Sequence, residues 1–220
     1  MLPHVPVHIV QRGNNRSPCF FRDGDYALYL FHLEKLAAQF DCAVHAWCLM
    51  TNHVHLLMTP DDADSCALLM KHLGQRYVQY VNRSRQRTGT LWEGRFRSCL
   101  AQSENYVLAC YRYIELNPVR AHIVSHPRDY RWSSYRANAE GAPSDLRKPH
   151  PEYAGLAAVP EPAYCALFAD QLAMDVVGEI RAATNGGFVL GGDSFKQQVG
   201  RALGRRVSRG SPGRPSKALA

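Results

Sequence analysis

Two histidines stand one residue apart in "TNHVHLLMTP", inside a run whose other residues are those of a buried strand. Successive side chains on a strand point to opposite faces, so His53 and His55 share one face while Val54, Leu56 and Met58 share the other. Two imidazoles side by side can grip one metal ion. Farther on, "YRYIELNPVR" places Tyr113 and Asn117 four residues apart, which on a helix is the same face one turn away. If that face meets the histidine pair, the Asn117 amide oxygen completes a His-His-amide set and leaves coordination positions open for a substrate oxygen. Imidazole and oxygen donors without thiolate suit Mn²⁺ or Mg²⁺ better than a soft ion. A rival set is Cys48, His53 and His55, which a tight hairpin would bring together as a zinc site for water activation.

A tyrosine beside such an ion can act as a nucleophile. A phenol, with its ordinary pKa near about 10, needs a metal or nearby cations to become one at neutral pH. Arg95, Arg97, Arg112 and Arg120 flank the segment in sequence, but Tyr106, Tyr111 and Tyr113 all sit at helical spacing, where a packed core ring is the plain alternative.

The elements that must position these groups follow from periodicity. "VHIVQRG" alternates as a strand and ends in the turn signal "GNN". Residues 25–40 carry apolar side chains at helical spacing, "CAVHAWCLM" and "HVHLLM" form a hairpin about Thr51-Asn52, and a second helix covers 65–82. "GTLWEGRFRSCLA" turns into a fourth strand, and Ser103 caps a helix over 104–117 that Pro118 ends. The order predicts an α+β fold, a ferredoxin-like antiparallel sheet (β-α-β-β-α-β) with helices on one face, a further helix after it, and a small helical C-terminal extension.

Composition restricts the function classes. The seven cysteines have no C-x-x-C spacing and the start is not signal-like, so a disulfide framework is not expected and the compartment reads as reducing and cytoplasmic. Every apolar stretch is interrupted before the roughly 18 residues needed to cross a bilayer, so no membrane partner is expected. The net charge of +7 is concentrated: residues 201–220 hold six Arg or Lys and no acid, and residues 71–136 hold 12 basic against four acidic residues. Both clusters suit a polyanion.

"VHIVQRGNNRSPCFF", "HAWCLMTNHVHLLMTP", "GTLWEGRFRS", "CYRYIELNPVRA" and "WSSYRA", in this order, resemble the REP-associated tyrosine transposases, a single-tyrosine branch of the His-hydrophobic-His endonucleases. The likeness spans residues 4–136. It implies a bacterial, nucleoid-associated enzyme, a monomer or homodimer, that cuts and rejoins single-stranded DNA at hairpins through a 5′-phosphotyrosine. It also implies His53, His55 and Asn117 as ligands of Mg²⁺ or Mn²⁺ and Tyr113 as nucleophile; related transposases carry glutamine where Asn117 stands. Arg12, Arg83, Arg95, Arg97, Arg112 and Arg120 are the cations expected to meet DNA. A hairpin-binding regulator without catalysis is the alternative. Members of that family usually carry a basic leader where this sequence has only "MLPH", so a weaker hold on the hairpin is expected. The reading divides the chain into an endonuclease domain (1–137), a linker (138–161), a small helical extension (162–204) and a basic disordered tail (205–220) expected to lie along DNA as an arm.

Overall fold

Alternating burial builds the framework. In the computed structural model, which describes residues 1–157 and 163–210, β1 (Val7–Arg12), α1 (Asp23–Gln39), β2 (Cys42–Met50), β3 (His53–Pro60), α2 (Ser65–Ser84) and β4 (Arg97–Ala101) follow in that order. The strands lie β2-β3-β1-β4 with every neighbouring pair antiparallel, the ferredoxin-like arrangement. Met50 pairs with His53, so Thr51-Asn52 is a two-residue hairpin loop as the sequence predicts. His45 is an extra residue in β2, bulged between the pairs Val44–Met58 and Ala46–Leu57. The insertion keeps Val44 and Trp47 on one face and sends Ala46, Cys48 and Met50 to the other.

The sheet is covered on both faces, not on one. Val7, Ile9, Val54, Leu56 and Met58 pack under α1 and α2, against Tyr29, Leu33, Leu36, Leu73 and Tyr77. Leu57, Cys99 and Ala101 pack under α3 (Ser103–Glu115), against Val107, Cys110 and Ile114. The chain continues through α4 (Asn117–Arg120), α5 (Tyr135–Ala139), α6 (Pro151–Ala157), α7 (Ala163–Ala166), α8 (Met174–Gly186), β5 (Val189–Leu190) and α9 (Asp193–Leu203). Among the described residues no helix is long and apolar enough to cross a membrane.

Three features depart from the periodicity reading. The third helix starts at Ser103 with Gln102 as N-cap, breaks at Leu116, and resumes with Asn117 and Pro118 as α4. Proline is tolerated there because a first-turn N–H has no helical partner to lose. Residues 138–157 are tied down by Lys148, whose N–H donates to the Val44 carbonyl and whose own carbonyl faces His45 Nδ1 at 2.6 Å; 158–161 lie outside the described residues. Finally, β5 adds parallel to β4 and α8 packs on β4, so the C-terminal helices complete the sheet's open edge and make the sheet mixed. Val207 folds back to accept from the Val189 N–H, and the tail beyond 210 lies outside the described residues.

Glu115, at the end of α3, is fully buried and accepts hydrogen bonds from Ser134 Oγ (2.5 Å), Asn138 Nδ2 (2.7 Å) and Tyr164 OH (2.7 Å). Burial nevertheless pushes its carboxyl up to about 7, with the three donors pulling the other way. An acid whose folded pKa is raised holds its proton more tightly in the native state, so its contribution to stability falls as pH rises from its unfolded value through about 7. Glu115→Gln stays neutral and keeps an oxygen for Ser134 and Asn138. Relative to the parent, it should gain up to about 1.4 kcal/mol per pH unit across that window, read from urea unfolding at several pH values. A difference that does not change with pH would show that Glu115 is already charged in the fold.

Candidate functional site

The antiparallel register of β1 and β3 sets Val10 opposite His55 and Arg12 opposite His53. Strand parity therefore directs His8, Val10, Arg12, His53 and His55 to the face that α3 covers. On that face Tyr113 stands edge-on to both His55 and His8, with ring centroids 5.6 Å apart in each pair. Asn117 opens α4 after the break at Leu116 and lines the same cavity as His53 and His55. Arg120 folds over Tyr113, its guanidinium 4.3 Å from the ring centroid and its Nη2 donating to the Tyr113 carbonyl. These side chains, with Arg181, Thr184 and Asn185 of α8, line one cavity of about 300 Å³.

The two histidines of the pair are oriented from behind. Asn52 donates from Nδ2 to the Arg16 carbonyl, so its Oδ1 accepts from His53 Nδ1 at 2.7 Å. His55 Nδ1 lies 2.9 Å from His8 Nε2. With both Nδ1 atoms engaged, Nε2 is the nitrogen each ring has left for a ligand. Burial, reinforced by Arg12 and Arg120, lowers His53 to about 4; burial and the neighbouring His8 and His53 hold His55 well below the ordinary imidazole range. Both rings are therefore neutral near pH 7, with lone pairs available.

The donor set fits a divalent ion. His53 Nε2, His55 Nε2 and the Asn117 amide oxygen are three neutral donors around one cavity, and their Nδ1 partners are the outer hydrogen bonds that metal-bound imidazoles use. Among the described residues no three His, Cys, Asp or Glu side chains form a ligand cluster, so an ion held between His53 and His55 would take the amide as its third donor. The zinc alternative is less well placed. Cys48 does pair opposite His55, but its thiol is buried beside Met50 Sδ at 3.6 Å, does not line the cavity, and burial pushes its pKa up, away from the thiolate that zinc requires.

The cavity is anion-seeking. Arg12, Arg120 and Arg181 line it and no Asp or Glu does. Arg120 Nε and Nη1 are buried without a hydrogen-bond partner, a costly arrangement unless an anion takes them. Of the other cations expected at DNA, Arg97 reaches Asn185 Oδ1 (3.0 Å) at the edge of this cavity. Arg112 is held by the Asp170 carbonyl, Arg83 is exposed in the last turn of α2, and Arg95 lines a different cavity with Lys71 and Phe96 under α2. His8, Arg181, Thr184 and Asn185 are members of the site that sequence reasoning missed. His8 shares its strand parity with Arg12, a signal that was present; nothing local marks the α8 residues.

The geometry separates the tyrosines. Tyr111 is fully buried against Tyr153 and Tyr164, with its hydroxyl accepting from the His150 N–H, and the Tyr106 hydroxyl donates to Glu179. Only Tyr113 of the three lines the cavity.

Comparison with known proteins supports the same segment. A REP-associated tyrosine transposase of Haemophilus influenzae is 28% identical over 112 residues, covering 46% of this chain and 64% of the relative. The match thus spans less than two thirds of that relative's length. The solved structure of a REP-associated tyrosine transposase bound to a REP hairpin superimposes with a TM-score of 0.51 at 17% identity, over 68% of this chain and 88% of that one, and so shares the fold. The family model described as transposase, IS200-like, matches residues 2–117, which run from the first strand through His53, His55 and Tyr113 to Asn117. That match covers more than half of the sequence, and the chain belongs to the IS200-like transposase family.

Proposed function

We propose that this protein cuts and rejoins single-stranded DNA beside hairpins of the REP type, with Tyr113 as nucleophile. The observation that carries the reading is the meeting of Tyr113, His53, His55 and Asn117 with Arg120 in one cation-lined cavity without an acid. REP-type hairpins are suggested as substrate because both relatives described above are REP-associated, and one was solved on a REP hairpin.

In this reading His53, His55 and Asn117 hold Mg²⁺ or Mn²⁺, which when bound neutralises charge on the scissile phosphate. Arg12 and Arg120 grip the same phosphate, and the unpartnered guanidinium nitrogens of Arg120 supply fixed donors as charge builds on its oxygens. Arg120 also stacks on the Tyr113 ring, which holds the nucleophile and the phosphate-binding guanidinium side by side. The Tyr113 oxygen attacks phosphorus and the 3′ oxygen departs, taking up a proton as the phenol loses one. One phosphate ester replaces another, so the bond energy is kept for rejoining. The product is a 5′-phosphotyrosine and a free 3′-hydroxyl.

The test is a denaturing gel of the protein with labelled hairpin DNA and Mn²⁺. Label on the 3′ side of the cut should migrate with the protein, and label on the 5′ side should run as a free fragment. Cleavage that leaves both labels free would make water the nucleophile. Binding without cleavage would make the protein a hairpin-binding regulator.

A further inference from the structure

We propose that Thr184 of α8, acting through His8, dictates which nitrogen of His55 carries the proton and so presents His55 Nε2 as a lone pair to the ion. The inference rests on the reading of His55 as a metal ligand and adds two positioning residues to it, one of them beyond the segment that matches the family.

The argument is a count of protons along a buried chain. The Thr184 hydroxyl has one hydrogen, and it donates that hydrogen to the Ile180 carbonyl at 2.8 Å. Toward its two other neighbours, His8 Nδ1 at 2.9 Å and Cys99 Sγ at 3.3 Å, the oxygen can only accept. His8 therefore carries its hydrogen on Nδ1. A neutral imidazole has one such hydrogen, so His8 Nε2 is an acceptor, and the 2.9 Å contact to His55 Nδ1 requires the hydrogen to sit on His55. The two ring planes differ by 10°, which lets an in-plane N–H meet an in-plane lone pair. His55 is then left with a bare Nε2.

His8, His55 and Thr184 are exposed by only 1%, 4% and 3%, so the chain runs through direct side-chain contacts. Without the threonine hydroxyl, His8 is free to place its hydrogen on Nε2, and His55 must then accept at Nδ1 and spend its hydrogen on Nε2. That form of His55 has no lone pair for a metal. The order of carbonyl, hydroxyl and two imidazoles thus links a helix in the C-terminal half to the centre of the site, and orienting partners of this kind change metal affinity roughly 10- to 100-fold when lost.

The experiment uses the full chain. In metal-free, ¹⁵N-labelled protein, long-range ring correlations of His55, assigned against His55→Gln, should show hydrogen on Nδ1 and none on Nε2. Thr184→Val, which keeps the shape and loses the hydroxyl, should bind Mn²⁺ about 10-fold or more weakly by calorimetry, while Thr184→Ser restores near-parental affinity. Circular dichroism spectra of both variants should overlay the parent's, which separates a lost hydroxyl from a lost fold. A hydrogen on His55 Nε2 in the unmodified protein would overturn the inference, whether or not the valine variant folds. So would a valine variant that binds Mn²⁺ like the parent, or a serine variant as weak as valine. If the parent itself binds no Mn²⁺, the ligand reading fails and this inference falls with it; the preceding results, in a parent that binds Mn²⁺, remove this inference alone.

Discussion

Tyr113→Phe should abolish the covalent protein–DNA adduct while leaving hairpin binding close to the parent's. The substitution removes one oxygen. The ring's edge-on contacts with His8 and His55 and its stacking under Arg120 are made by carbon atoms and survive, so a stability change of no more than about 1 kcal/mol is expected. DNA affinity comes mainly from cations on phosphate, none of which is touched, so it should change less than about twofold. Loss of the attacking atom removes the covalent route altogether, a drop of roughly a thousandfold or more in adduct formation. Tyr111 and Tyr106 cannot substitute where they stand, since neither lines the cavity. Persistence of the adduct in the phenylalanine variant would therefore sink both the nucleophile and the geometry that selects it.

The second large effect is acid sensitivity of the metal-free protein. Burial lowers His8 to about 3 and His45 and His53 to about 4, and holds His55 well below its ordinary value of 6.5. A histidine with a depressed folded pKa contributes stability that is present above the unfolded pKa and lost as pH falls through the folded one. From pH 7.5 to pH 5 each of these rings should withdraw on the order of 2 kcal/mol. Glu115, with its raised carboxyl, acts in the opposite direction over the same interval, a single group against four. The net loss is on the order of 5 kcal/mol, comparable with the whole stability of many domains, and should lower the melting temperature by more than about 10 °C. Thermal unfolding in EDTA, followed by circular dichroism at the two pH values, checks it. Equal melting temperatures would mean that these rings are hydrated or already paired with an acid.

Much of the site was legible along the chain. His53 and His55 share a face because a strand alternates, and Tyr113 lies one turn from Asn117 because a helix repeats every 3.6 residues. The first is a property of a few consecutive backbone units and holds in any fold that keeps the strand; the second survives here although the helix breaks at Leu116, because Asn117 still lines the same cavity as Tyr113. The hairpin at Thr51-Asn52 belongs to the same class, since a two-residue loop leaves its strands no choice of partner. The order of strands and helices followed from the same local signals, and with it the ferredoxin-like sheet.

What tertiary structure decided was which faces meet. His8 alternates with Arg12 as plainly as His53 does with His55, yet only the register of β1 on β3 brings it to His55. Arg83, Arg95 and Arg112 are as basic as Arg120, but they leave the site because α2 covers the opposite face of the sheet and because Arg112 turns to the Asp170 carbonyl. The contribution of α8 was invisible for a further reason: Thr184 reaches His8 across 176 positions of sequence, and no local period encodes such a contact. Side-chain direction within an element is set by backbone geometry residue by residue. The docking of one element on another is set by burying apolar surface contributed from all over the chain, and this fold spends the exposed edge of β4 on β5 and α8 to do so.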